Sequence, residues 1–154
     1  MNIFNEVSIY KKKEEEKIII LPTGYAENGL IKTQDFGFII NCNSRYNEIG
    51  CLIEYALKLT LESQILKLNK NKAIWELASE EKTWAAFSKK YNLVTFEYMK
   101  NIYSLKLNIK DGAGFSPFPD KVKGQYEFGE KIETEELGKK LIEMFKFKEE
   151  YDNS

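Results

Sequence analysis

Two rhythms of hydrophobic and polar positions run along this chain, and the switches between them predict its elements. Phe4, Val7 and Ile9 open an alternating segment that reads as a strand. The charge run Lys11 to Lys17 follows; such a run cannot be buried, which predicts a hairpin tip or an exposed edge. Ile18-Ile-Ile-Leu-Pro22 predicts a strand buried on both faces and stopped by its proline. Thr23 to Asp35, rich in Gly and Asn, reads as a connection, and Phe36 to Asn41 as a further short strand. Ser44 is the expected N-cap of a helix whose Ile49, Leu52, Ile53, Ala56 and Leu57 make one apolar stripe.

The polar stretch Lys67 to Lys72 reads as a loop. Ser79 is the expected N-cap of a second helix, with Trp84, Phe87 and Ser88 on one side. Leu93 to Met99 and Ile102 to Ile109 alternate strongly, and Lys100-Asn101 between them predicts a tight hairpin. Asp111-Gly-Ala-Gly-Phe-Ser-Pro-Phe-Pro-Asp120 is the most turn-prone segment. A short strand over Tyr126 to Phe128 precedes a last helix from about Glu135 to Lys148, with Thr134 as its expected N-cap. Strands with an antiparallel hairpin and about three helices give an α+β class, a mainly antiparallel sheet with helices packed against it.

Two of these helices carry related sentences. Laid over each other, Glu48 matches Glu136, Gly50 matches Gly138 and Lys58 matches Lys146. The apolar positions Ile49, Ile53, Ala56 and Leu57 fall on Leu137, Leu141, Met144 and Phe145. A glycine inside a helix costs ~1 kcal/mol against alanine. Its presence at the same place in both copies predicts close packing of each helix against sheet or helix, within a pseudo-repeated scaffold.

Composition narrows the function classes. The 154 residues suit one domain, residues 1–154, able to bury an ordinary core. A formal charge of −1 implies neither a DNA-binding domain nor an acidic mimic of nucleic acid. Cys42 and Cys51 are the only thiols and are expected to be free. No secretory leader opens the chain, and its longest apolar run falls far short of the ~20 residues that span a bilayer, so a cytoplasmic protein is expected.

The chain contains no histidine. That removes Ser-His-Asp and Cys-His nucleophiles and His-containing zinc sites, and two cysteines cannot make a four-thiolate site. Gly112-Ala113-Gly114 lacks the lysine and helix start of a phosphate loop. No catalytic residue, cofactor or metal is therefore expected. Three readings remain. One is a small carboxylate-dependent hydrolase, which would need two carboxylates converging with a raised pKa. A second is an RNA-binding module on the hairpin residues Tyr98, Lys100, Tyr103 and Lys106, against which Glu97 and the charge balance argue. The third is a protein-binding surface. Its expected contacts are Phe115, Phe118 and Tyr126 as aromatic anchors, flanked by Asp111, Asp120, Glu127 and Glu130.

The ordered set of motifs resembles the CdiI family of contact-dependent growth inhibition immunity proteins. The matching segments are Ile19-Ile-Leu-Pro-Thr23, Glu48-Ile-Gly50 leading into Leu52-Ile-Glu-Tyr-Ala-Leu57, and Lys82-Thr-Trp-Ala-Ala-Phe87 before Leu93-Val-Thr-Phe-Glu97. Asp111-Gly-Ala-Gly-Phe115 and Glu136-Leu-Gly138 complete the set. The resemblance implies a cytoplasmic protein, a monomer or weak homo-oligomer when free. Its partner would be the cognate toxin domain, commonly a nuclease, of a CdiA-type effector. Direct contact with nucleic acid or membrane is not implied.

Overall fold

A computed structural model describes residues 5–26, 31–33, 36–62, 65–66 and 73–154. The chain forms β1 (Asn5–Lys12), β2 (Lys17–Ala26), β3 (Ile31–Thr33), β4 (Phe38–Asn41), α1 (Tyr46–Glu62) and β5 (Ile65–Leu66). It continues with α2 (Ile74–Ser79), α3 (Trp84–Lys90), β6 (Tyr91–Met99), β7 (Ile102–Asp111), β8 (Gly114–Pro117), α4 (Lys121–Gly124), β9 (Gln125–Gly129) and α5 (Thr134–Asp152). The main path of the sheet is β3-β2-β1-β6-β7-β8, with β4 and β5 also on β2 and β9 also on β7. Every pairing but β2–β5 is antiparallel, so the α+β class expected from the pattern is the one observed.

The strand rhythm sorts side chains onto two faces. Val7 and Ile9, Ile18 and Ile20, Val94 and Phe96, and Leu105 and Leu107 point to one face and pack under α1 and α5. Tyr10, Ile19, Leu21 and Leu93 point the other way and meet Phe87 and Tyr91 at one end of the opposite face, with Trp75 and Trp84 packed on them. The first surface is here called the helix face and the second the open face.

The matched glycines lie where the two long helices cross. A Cβ on Gly50 would stand 2.6 Å from the carbonyl carbon of Thr134 and nearer still to its oxygen. A Cβ on Gly138 would stand 2.7 Å from the carbonyl carbon of Tyr46 and again nearer to its oxygen. Each glycine therefore receives the backbone four residues before the other. The crossing is reciprocal, and the helix–helix form of the predicted close packing is the one found.

Local differences from the pattern have local causes. Pro22 does not stop its strand. β4 pairs with Lys17 to Ile20 and β3 with Thr23 to Tyr25, so Pro22 falls between two partners on that edge, where its missing N–H costs no ladder bond. Thr23 to Ala26 consequently continue β2, within what reads as a connection. The turn-prone segment after Asp111 is half strand: Gly112 and Ala113 make a two-residue turn, Gly112 at φ 58°, and β8 pairs back on β7. The Lys100-Asn101 hairpin is as expected, with both residues at positive φ, the signature of a type I′ turn. The expected loop Lys67 to Lys72 lies outside the described residues.

Helix starts shift by small amounts or by a whole turn. Arg45, not Ser44, supplies the first carbonyl of α1, accepting from Glu48 and Ile49. Glu133 occupies the cap position of α5, one residue before Thr134. Ser79 ends α2 instead of opening a helix, its hydroxyl accepting from the amide of Glu81 at 3.1 Å. The cap of α3 is Thr83, which accepts from Ala86 N–H at 3.1 Å. Two nearby hydroxyls competed for one role, and the residue directly before the aromatic turn holds it. Thr83→Ala is expected to cost ~1 kcal/mol in chemical denaturation, the usual loss for a side-chain cap.

Candidate functional site

The expected contact residues divide between the two faces. Phe118 is 6% exposed and sits beneath α5, its ring 5.5 Å from Phe147 and 5.1 Å from Tyr151. Tyr126 also faces α5: its hydroxyl donates to Glu136 at 2.6 Å and Lys140 Nζ lies 4.8 Å from its ring centre. That hydrogen bond to a carboxylate holds the phenol above its usual pKa. Phe115 belongs to the open face, its ring 6.1 Å from Tyr10 and 6.3 Å from Trp84, whose indole N–H donates to the Ala113 carbonyl. Asp111 is exposed at the end of β7, and Asp120 caps α4, accepting from Val122 and Lys123 amides. Glu127 and Glu130 are exposed on and just beyond β9. Phe118 is therefore buried beneath α5 and Tyr126 half-buried against it, while Asp111, Phe115, Asp120, Glu127 and Glu130 reach the surface.

The open face carries a group that the pattern did not single out. Glu6 and Glu97 are register partners on β1 and β6, and Glu97 pairs in turn with Ser104 on β7. Lys106 Nζ lies 2.8 Å from Glu97 Oε2. Ser8, Thr95 and Ser104 are buried around them, and the Thr23 hydroxyl donates to the Glu6 carbonyl. Burial and the neighbouring Glu97 raise the Glu6 carboxyl to about 7, against a smaller lowering by Lys106. Burial likewise raises Tyr10, on the same face of β1. Glu97 was visible as a charge inside an alternating strand on the same side as Leu93; Glu6 had no such mark.

Two concavities lie elsewhere. One of about 670 Å³ is lined by residues 42–47 before and at the start of α1, with Glu135, Ile142 and Lys146 of α5. The other, about 390 Å³, lies between the Phe118–Asp120 segment and Phe147, Glu150 and Tyr151. Among the described residues no three of Cys, Asp and Glu are grouped to hold a metal, and no helix is long and apolar enough to cross a membrane.

The architecture thus belongs to the class of small α+β domains with a helix pair on one face of an antiparallel sheet. No protein-family model matches the sequence, and no curated protein matches it. Among solved structures, the chain is similar to a protein of unknown function from Neisseria meningitidis, at 10% identity and a TM-score of 0.63 over 92% of this chain and 93% of that one. It is also similar to a chain of a CdiA-CT/CdiI toxin and immunity complex from Yersinia pseudotuberculosis, at 8% identity and a TM-score of 0.64 over 94% and 97%. At such identities the likeness establishes the fold.

Proposed function

We propose that this chain is an immunity protein that binds and neutralises the C-terminal toxin domain, a nuclease, of a contact-dependent growth inhibition effector in the cytoplasm. The observation that carries this reading is the fold likeness to a chain of a toxin and immunity complex over 94% of the present sequence and 97% of that chain. A second support is independent of fold: with no histidine, the commonest acid–base group is missing, which suits a protein that presents a surface. The interface should bury about 1,200–2,000 Å² in total. Exposed groups at its edges would steer the encounter, and a few buried anchors would hold it.

Co-expression with the C-terminal toxin domain of the cognate effector provides the test. Cells producing both are expected to grow normally, and the two proteins to co-purify at equal stoichiometry. Arrested growth in the presence of this chain would reject the role.

One observation favours the hydrolase reading: a carboxyl near pH 7 beside a second carboxylate is a pairing that acid–base catalysis uses. Two features weigh against it. Lys106 holds Glu97, and neither cavity described above includes the pair. Turnover of a glycoside or ester by the purified protein, lost in Glu97→Gln, would reverse that judgement.

A further inference from the structure

No further inference is drawn: the strongest candidate, the open cavity of about 670 Å³ between residues 42–47 at the start of α1 and Glu135, Ile142 and Lys146 of α5, brings the exposed cations Arg45 and Lys146 beside a helix N-terminus and the exposed carboxylate of Glu135, and nothing in the structure shows what fills it.

Discussion

Gly50→Ala is expected to destabilise the protein by ~2–4 kcal/mol, and Gly138→Ala by a similar amount. In an isolated helix either change would help, since alanine exceeds glycine in helix propensity by ~1 kcal/mol. The sign reverses because the added methyl meets backbone. Its neighbours are the carbonyl groups of Thr134 and Tyr46, which cannot rotate away as a flexible side chain can. The helices must part, and parting them loosens Ile49, Ile53, Leu137 and Leu141 on the core beneath. The reciprocal geometry makes a sharper claim. Once one methyl has separated the axes, the second enters space already opened, so the double variant should lose less than the sum of the singles. Urea unfolding of the four proteins measures this coupling. Strict additivity, or a stabilised single variant, would show that the crossing is looser than described.

Glu6→Gln is the second large effect, and it depends on pH. Glu6 has its folded pKa raised from 4.5 to about 7. An acid raised in this way binds its proton more tightly folded than unfolded. Its stabilising contribution is complete below about 4.5 and is lost as the pH rises towards about 7, beyond which no more is lost. The groups facing it from its own and adjoining strands are Tyr10, Glu97 and Lys106, with Glu97 opposing the charged form and Lys106 favouring it. Wild type should therefore be more stable near pH 5 than near pH 8 as far as this group is concerned. Glutamine cannot ionise and should remove most of that slope. The full difference corresponds to ~3 kcal/mol, and solvent screening at a partly exposed position brings the expected gain for Glu6→Gln at pH 8 to ~1–2 kcal/mol. Denaturant midpoints for both proteins at pH 5, 6.5 and 8 give the comparison. Parallel profiles would place the Glu6 carboxyl in ordinary solvent.

Close packing at the two glycines was legible in the amino-acid order, because glycine at matched helical positions carries a local penalty that close approach explains; that each glycine meets the other helix and not the sheet was not. The strands β6 and β7 were legible for a similar reason, since period-two alternation needs no knowledge of distant partners. Ser79 misled because hydroxyl residues compete locally for a cap, and the choice of Thr83 depends on where Trp84 and Phe87 pack. Pro22 misled because strand termination was judged from one residue, while its neighbours on each side belong to different partner strands. The Glu6–Glu97 pair was out of reach: those residues are 91 positions apart, and only the β1–β6 register brings them together. Of the expected contact residues, Phe118 is buried because an aromatic ring near a long amphipathic helix is worth more under it than outside it, and Tyr126 lies half-buried at that helix's edge. Asp111, Phe115, Glu127 and Glu130 remain at the surface, where their roles await the binding measurements above.

The reciprocal glycine crossing also governs when the molecule can assemble. Gly50 and Thr134 are 84 positions apart, and the central pair β1–β6 joins Val7 to Phe96 across 89. Such distant contacts close long loops before any reward is collected, so folding should fall in the slower, millisecond-to-second regime. During synthesis α1 can lay its apolar stripe on β1 and β2, but its glycine has no backbone groove to seat against until α5 has left the ribosome. A newly made molecule would then acquire its final shape in one late step instead of growing into it from the first residue onward.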